Sequence, residues 1–215
     1  DGKDLGQNVS LAAEPEVEKF KTEYPLFGHH AMASDKAVEA MLPLSADGVR
    51  YGLVVRVYDD GVAVRYVLPE NARRIERELT AWNVPRSVKK VAWAGYDIGY
   101  EKEAYVTRMD EMPENEYVCG PLTVELPEGY MTFTEADCED FPDMAFSRSG
   151  NAFKSCFPSS EKGWDIKRLP DESEKVLAGK YKGKDVSPWR CAIIASDLTG
   201  LVNSDLLTNL CPSPE

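Results

Sequence analysis

The sequence predicts an all-β fold, an antiparallel β-sandwich with a minor helical part, and three observations support this prediction. One segment has the pattern of a β-hairpin, and short strand-like runs recur between turn residues along the rest of the chain. The chain has 215 residues, of which 43% are hydrophobic, so it is long enough to bury a core as one large domain.

The predicted hairpin lies in Tyr51–Glu70, YGLVVRVYDDGVAVRYVLPE. Two runs rich in valine and tyrosine flank Asp59-Asp60-Gly61, and glycine permits the positive φ that a short hairpin turn needs. Apolar side chains share one face on each run, namely Leu53, Val55 and Val57, then Val62, Val64, Tyr66 and Leu68. We therefore expect Arg56 and Arg65 to face outward, with Arg56 snorkelling or paired with a carboxylate.

Seven further runs are predicted strands: Ala37–Leu44, Val88–Trp93, Tyr117–Leu126, Met131–Thr134, Met144–Arg148, Ala152–Phe157 and Trp189–Ser196. Turn residues such as Asp47-Gly48 and Pro127-Glu128-Gly129 separate them, as is typical of antiparallel sandwiches. Glu70–Leu79 has good helix formers but few apolar positions, so it is either a helix or an edge strand beside the hairpin. Leu198–Asn209 has apolar residues at intervals near three and four, which predicts a short terminal helix or a turn.

The charge balance argues against several functions. The chain has 25 basic and 37 acidic residues, a net charge of -12, whereas nucleic-acid binding needs Lys and Arg to neutralise phosphates. The same charge disfavours an anionic membrane surface, and no apolar run approaches the roughly 20 residues that span a bilayer. The cysteines, Cys119, Cys138, Cys156, Cys191 and Cys211, are widely spaced, so we expect mostly buried free thiols, at most two disulfides, and no zinc or redox motif.

Familiar catalytic motifs do not occur in the sequence: GxSxG, the P-loop, HExxH and GxGxxG are all missing. The two histidines, His29 and His30, are adjacent in a stretch that follows Pro25. A His-based triad or a metal site with several histidines is therefore disfavoured. We expect both histidines to be loop residues without a chemical role.

Aromatic side chains cluster between Ala92 and Tyr117. Trp93, Tyr96, Tyr100 and Tyr105 have the flat faces that suit the apolar CH patches of sugar rings. The competing interpretation is ordinary packing in the core and loops, which we favour because large aromatic residues dominate core burial in most proteins. Trp93, Tyr96 and Tyr100 are thus weak candidates for substrate binding.

The acidic stretch MTFTEADCEDFPDM, Met131–Met144, offers a better-defined hypothesis. Met131 and Phe133 alternate with two threonines, so Glu135 falls at the end of a predicted strand and can point into a cleft. Calcium takes oxygen ligands, usually including several carboxylates, but the spacing here is not that of an EF-hand. A solvated acidic loop is the alternative on composition alone.

Several motifs together resemble one family, the N-terminal domain of glycoside hydrolase family 97. The segments that carry the resemblance, in the family's order, are Lys21–Gly28 (KTEYPLFG), Val54–Pro69 (VVRVYDDGVAVRYVLP), Thr80–Pro85 (TAWNVP), Tyr100–Tyr105 (YEKEAY), Gly120–Met144 (GPLTVELPEGYMTFTEADCEDFPDM) and Ser187–Pro212 (SPWRCAIIASDLTGLVNSDLLTNLCP). They extend over most of the chain, and the combination is more specific than any single motif.

The resemblance implies a β-super-sandwich similar to galactose mutarotase, in a multidomain α-glycosidase acting on oligosaccharides, periplasmic or secreted in bacteria. It implies a calcium ion between the sandwich and a (β/α)₈ barrel, with Glu135 of the TEA motif as one ligand. Calcium near the scissile bond acts as a Lewis acid and template for the sugar. No pair of carboxylates in this chain can be assigned as acid and nucleophile, so we name no catalytic residue and expect the chain alone to be inactive.

The resemblance also suggests the domain organisation. We expect residues 1–210 to form the sandwich and residues 211–215 to begin a linker toward the barrel, which is the domain partner. Three other functions stay open. The chain is alternatively a free-standing carbohydrate-binding module using Trp82, Trp93, Tyr96 or Tyr100, a mutarotase-like enzyme, or a structural interaction protein. The mutarotase alternative is weak because the histidines lie far along the chain from Glu135.

Overall fold

The structure is a computed structural model that describes residues 3–28, 30–69, 72, 74–97, 99, 101–138, 141–158, 164–165 and 186–211. Its elements are almost all strands. In chain order they are β1 (Ser10–Leu11), β2 (Glu16–Pro25), β3 (Met32–Ala46), β4 (Val49–Tyr58), β5 (Gly61–Val67), β6 (Arg74–Ile75), β7 (Ala81–Asn83), β8 (Lys90–Gly95), β9 (Ala104–Thr107), β10 (Tyr117–Leu126), β11 (Gly129–Ala136), β12 (Ala145–Ser149), β13 (Ala152–Cys156), β14 (Trp164–Asp165), β15 (Trp189–Ala195), α1 (Leu198–Val202) and α2 (Leu206–Leu210).

The strands form an all-β sandwich, which confirms the predicted fold class. Within the described part of the chain, 13 strands form one hydrogen-bonded sheet whose main order is β1-β3-β4-β5-β15-β11-β10-β12-β13-β7, while β14 and β6 form a separate pair. The described pairings are antiparallel. The path does not close on itself. The likeness to galactose mutarotase in particular stays a prediction.

The central strand β15 separates two apolar cores. Alternate residues Trp189, Cys191 and Ile193 belong to a core with residues of β4, β5 and α2, and Ala192 belongs to a second core with residues of β10 to β13. Because both of its faces are covered, β15 is a nearly continuous apolar run rather than an alternating one. The second core packs Phe133 of β11 against Trp82 and Phe153.

The predicted strands are confirmed, with shifts at their ends. The hairpin is β4 and β5, whose register pairs Tyr58 with Gly61 across the two-residue loop Asp59-Asp60. The seven other predicted runs correspond to β3, β8, β10, β11, β12, β13 and β15. The pattern is reliable here because side chains of period two face packed neighbours along most of each strand.

The predicted orientation of Arg56 and Arg65 is wrong. Arg65 is only 3% exposed and faces the first core together with Val54, Ala63 and Val67. The guanidinium of Arg65 lies 4.6 Å from the Trp189 ring and that of Arg56 lies 5.0 Å from it. Arg56 also donates to Glu39 at 2.7 Å, as one of the two predicted alternatives had it. Ring stacking and carboxylate partners make burial of the arginines tolerable.

The helix alternative for Glu70–Leu79 is wrong for the described residues. Arg74–Ile75 form a short strand that pairs with β14 rather than with the hairpin, and residues 76–80 have no regular structure. Glu70, Asn71 and Arg73 lie outside the described residues. The helix propensity of this segment is overridden by tertiary structure, because the segment leads into β7, which pairs with β13.

Of the two predicted alternatives for the terminal segment, the helix is confirmed, as two short helices, α1 and α2, with a break between them. Asp197 caps α1 by accepting from the Gly200 N–H at 2.8 Å. His30 lies in a loop, as predicted, and its Nε2 is 2.8 Å from Oδ1 of Asp205 at the start of α2. His29 lies outside the described residues. The histidine therefore has a partner that ties its loop to the terminal helices.

The cysteines are all free thiols in the structure. Cys119 and Cys191 are buried, Cys156 is half-buried, and Cys138 and Cys211 are exposed, so fewer are buried than the sequence predicted. In the described ranges, none of the helices has the length and apolar character to cross a bilayer.

Gly61 opens β5 and is needed for close packing rather than for its turn, because its φ is not in the left-handed region. A Cβ on this residue would overlap the Ala192 carbonyl oxygen and the Leu206 side chain. We expect Gly61→Ala to lower the free energy of unfolding by about 1–3 kcal/mol, as overpacking does in other cores. Urea denaturation of the chain measures this change.

Gly28 is the matched control for Gly61, since a Cβ there meets no atom within 4 Å. Gly28→Ala should change the free energy of unfolding by less than about 0.5 kcal/mol. Equal effects of the two substitutions would contradict the packing explanation for Gly61.

Candidate functional site

Glu135 lies where the sequence predicted it, at the end of a strand. It is the penultimate residue of β11, and its direct cross-strand partner on β15 is Arg190. The Glu135 side chain is 19% exposed, whereas the neighbouring Phe133 on the same face is buried in the second core. The strand thus leads from the core to a carboxylate at the edge of solvent.

Both carboxylate oxygens of Glu135 accept a hydrogen bond. Nη1 of Arg190 donates to Oε2 at 2.6 Å, and the Met144 N–H donates to Oε1 at 3.1 Å. These two donors come from different elements and hold the plane of the carboxylate. Because an ionised carboxylate has about four lone-pair sites, each oxygen can still accept a further ligand.

Arg190 also binds a second acid, Glu78. Its Nε donates to Oε1 of Glu78 at 2.8 Å and its Nη2 donates to Oε2 at 2.7 Å, a bidentate pair. The side chain of Arg190 is 0% exposed and that of Glu78 is 7% exposed. The guanidinium also lies 5.6 Å from the Phe157 ring. We call Glu78, Arg190 and Glu135 the carboxylate–arginine cluster.

The carboxylate–arginine cluster has two acidic side chains and one guanidinium, so its formal charge is negative. Burial raises the pKa of Glu135 above its usual range, and the charge of Arg190 and the Met144 N–H partly oppose this rise. The negative charge of Glu78 raises the pKa further. A cation beside Glu135 would relieve this imbalance.

The turn that follows Glu135 is held by a second ion pair. Asp137 has a φ of 57°, in the left-handed region, and its Oδ2 accepts from Nη2 of Arg65 at 2.7 Å. Nε of Arg65 also donates to the Ser187 carbonyl at 3.0 Å. Since Asp137 is 9% exposed at its side chain, it is a structural residue rather than a solvated one.

The resemblance implies calcium, and the residues present fit one part of such a site. Glu135 offers carboxylate oxygens, the ligand type that calcium prefers, on a side chain that is only partly buried. Calcium takes about six to eight oxygen ligands. Among the described residues there is no group of three or more His, Cys, Asp and Glu side chains that could hold a metal ion. Glu135 therefore fits as one ligand among others.

The other acidic residues of the stretch are not gathered around Glu135 as ligands in the described structure. Oδ2 of Asp143 accepts from the Tyr96 hydroxyl at 3.0 Å. Glu139 and Asp140 lie outside the described residues.

The aromatic candidates have packing partners. The Trp93 ring lies 5.1 Å from the Tyr105 ring, and its Nε1 donates to Thr107 at 3.0 Å. Tyr96 makes an edge contact with Tyr117. Tyr100 lies outside the described residues, so no platform that includes it is described. Trp82 is stacked on Phe133 in the second core.

Sequence reasoning missed Glu78 and Arg190 as members of the site. Glu78 was part of the segment interpreted as a helix or an edge strand. Arg190 had a usable signal, since it is a charged residue within the apolar run WRCAIIA of β15. A charge inside such a run needs a buried partner, which indicates a nearby acid.

The fold and the family comparison together define the class of protein. An all-β sandwich is what the resemblance implied, and the profile described as Glycosyl-hydrolase 97 N-terminal matches residues 2–212. The class is thus the N-terminal domain of a glycoside hydrolase. The match extends over nearly the whole sequence, so the chain belongs to the glycosyl-hydrolase 97 N-terminal family.

The chain is also similar to individual proteins. A probable retaining alpha-galactosidase of Streptomyces bingchenggensis (strain BCW-1) is 27% identical over 219 residues, which cover 99% of this chain and 31% of that protein. A family 97 enzyme from Pseudoalteromonas sp. strain K8, solved in complex with acarbose, has a TM-score of 0.76 at 22% identity and covers 94% of this chain and 30% of its own. A beta-arabinopyranosidase has a TM-score of 0.73 at 18% identity and covers 96% of this chain and 35% of its own.

At these identities the structural likenesses establish the fold alone. The chain spans about a third of the length of the relatives that it matches. The activity and the substrates of a whole protein containing this chain are therefore matters for proposal.

Proposed function

We propose that this chain is the N-terminal sandwich of a calcium-dependent glycoside hydrolase, an α-glycosidase acting on oligosaccharides, and that Glu135 is one of the calcium ligands. Membership of the family supports the hydrolase part of the proposal. The proposed partners are a (β/α)₈ barrel of the same polypeptide, which holds the catalytic acid and nucleophile, and the oligosaccharide substrate. The proposed location is the periplasm or the exterior of a bacterium.

The observation that carries the calcium proposal is the unbalanced charge at Glu135. Arg190 directs two of its three hydrogen-bonded nitrogens to Glu78 and one to Glu135. The carboxylate of Glu135 is thus only partly neutralised, although burial disfavours its charged form. A divalent cation at the exposed side of the carboxylate would stabilise it.

The residues of this chain have a defined part in the proposed mechanism. Arg190 and the Met144 N–H orient the carboxylate of Glu135, and the Arg65–Asp137 pair holds the turn behind it. The sandwich thereby presents one fixed ligand and one wall of the substrate pocket. When bound, calcium supplies a Lewis acid and a template for the sugar.

Glu135→Gln tests the calcium ligand in the full-length protein that contains this chain. Two unit charges about 4 Å apart interact by about 4 kcal/mol at an effective dielectric constant of about 20. We therefore expect calcium affinity to fall by at least about 100-fold. Isothermal titration calorimetry with calcium chloride measures the affinity, and hydrolysis of aryl α-glycosides should fall in parallel.

Glu128→Gln is the matched control, because Glu128 is an exposed acid in the turn before β11 and the substitution removes the same charge. Its calcium affinity should equal that of the parent protein. Unchanged calcium affinity in Glu135→Gln would exclude Glu135 as a ligand. A full-length protein that hydrolyses no glycoside with calcium present would contradict the hydrolase proposal itself.

A further inference from the structure

The guanidinium of Arg190 divides its donors unequally between two acids. Nε and Nη2 both go to Glu78, at 2.8 Å and 2.7 Å, and Nη1 alone goes to Glu135 at 2.6 Å. Arg190 is completely buried, so solvent does not compete for these donors. The position of the guanidinium is therefore set by its protein partners.

Glu78 is brought to Arg190 by tertiary structure rather than by a local element. It lies in the irregular segment 76–80, and 112 positions separate it from Arg190. The neighbouring Thr80 is held on both sides, by the Tyr66 hydroxyl at 3.1 Å and through its carbonyl by the Ser155 N–H at 2.9 Å. The 7% exposed carboxylate of Glu78 is thus a fixed, buried acid.

Without Glu78, the arginine would have one acidic partner in the cluster. A bidentate pair is the stronger arrangement for an arginine and a carboxylate, so the guanidinium would turn its free donors toward Glu135. Both oxygens of Glu135 would then be engaged by a neutralising cation. Less negative charge and fewer free lone pairs would remain for another ligand.

We propose that Glu78 is a positioning residue that acts through Arg190: by engaging two guanidinium nitrogens, it leaves only one nitrogen of Arg190 on the carboxylate of Glu135, which can then bind a divalent cation. This inference rests on the proposed function of Glu135 as a calcium ligand. Glu78 is not itself proposed as a calcium ligand. Its contribution is to occupy two donor nitrogens of Arg190, which are then not available to Glu135.

Glu78→Gln in the full-length protein tests this role. We expect calcium affinity to fall by about tenfold, which is within the usual effect of removing a group that supports a metal ligand. Isothermal titration calorimetry with calcium chloride alone, without substrate, provides the measurement. Glu78→Asp, which retains the charge, should recover most of the lost affinity.

The double variant Glu78→Gln/Arg190→Gln tests whether Glu78 acts through the arginine. With the guanidinium gone, Glu135 is no longer neutralised, so the double variant should bind calcium more tightly than Glu78→Gln does. Equal or weaker binding by the double variant would overturn the proposal. The double variant also keeps the test decisive if Glu78→Gln folds poorly. In that case, a calcium affinity of the double variant at or below one tenth of the parent's would contradict the proposal.

Glu39→Gln is the matched structural control. Glu39 is a buried acid, 3% exposed at its side chain, that pairs with Arg56 at 2.7 Å and lies outside the carboxylate–arginine cluster. It should leave calcium affinity unchanged. A similar loss in Glu39→Gln and Glu78→Gln would assign the effect to general destabilisation and overturn the proposal.

The calcium-ligand role of Glu135 and the positioning role of Glu78 are distinguished by which variant loses calcium affinity. If Glu135→Gln loses calcium affinity and Glu78→Gln does not, the positioning role is wrong while the calcium ligand stands. If Glu135→Gln retains calcium affinity, the proposed function of Glu135 is wrong, and the positioning role fails with it.

Discussion

Replacing Arg190 with methionine is expected to lower the free energy of unfolding by about 3–5 kcal/mol, the usual cost of removing one partner from a buried ion pair. Arg190 is completely buried and lies 2.7 Å from Glu78 and 2.6 Å from Glu135. Methionine has no donors, so two carboxylates would be left together without a counter-charge. Urea denaturation of the chain, with linear extrapolation to water, measures the loss.

Arg108→Met is the matched control for Arg190→Met. Arg108 makes an ion pair with Asp110 at 2.6 Å, but both side chains are exposed. Exposed ion pairs contribute little, so the denaturation midpoint should not change. Adding Glu78→Gln to Arg190→Met removes one of the two buried carboxylates that lack a counter-charge, so it should restore part of the stability. An Arg190→Met chain as stable as its parent would contradict the assignment of a buried charge cluster.

Phe133→Ala is expected to lower the free energy of unfolding by about 3–5 kcal/mol, as phenylalanine truncations in packed cores do. Phe133 is 1% exposed, and its ring lies 5.4 Å from that of Trp82 and 5.7 Å from that of Phe153. The loss combines the transfer energy of the ring with a cavity between two aromatic neighbours. Urea denaturation of the chain again measures it.

Phe27→Ala is the control for Phe133→Ala, because Phe27 is 97% exposed. Its effect should stay within about 0.5 kcal/mol. Phe133 lies two residues before Glu135 on the same strand face, so the cavity should also loosen the strand that presents the carboxylate. A small effect at Phe133 would show that Trp82 and Phe153 close the gap.

The strands of this protein were predictable because their cause is local. In β4 and β5 the alternation of side chains, together with Asp59-Asp60-Gly61, is enough to predict a hairpin in Tyr51–Glu70. The same holds for the strand that ends near Glu135. The alternation of side chains predicts the position of a strand, however, and not which of its two faces is packed more tightly.

The orientation of Arg56 and Arg65 shows that limit. On β4 and β5 each face contains at least one valine, so counting apolar residues did not identify the buried face. The buried face is decided by contacts with Trp189, which is more than 120 positions from either arginine in the sequence. Both guanidinium groups approach the ring of Trp189. A cation–π contact with a distant residue leaves no local pattern.

Glu78 illustrates the same limit at the candidate site. Its segment contains good helix formers, yet it is irregular because the chain is drawn into pairing between β7 and β13. Propensity differences amount to a fraction of a kcal/mol per residue, about 0 to 0.7 for ordinary residues, and tertiary contacts override them. Glu135 itself was found from its strand and from family resemblance, whereas its partners were not.

The sequence by itself determined the all-β class, the positions of the main strands, the strand-end location of Glu135 and, through its motifs, the family. Those features depend on short-range alternation, turn chemistry and residue order. Only the tertiary structure decided that Arg190 divides its donors between Glu78 and Glu135, and that Arg65 lies inside the first core. The physical reason is that ion pairs and ring contacts depend on distances in space, which join residues that are far apart along the chain.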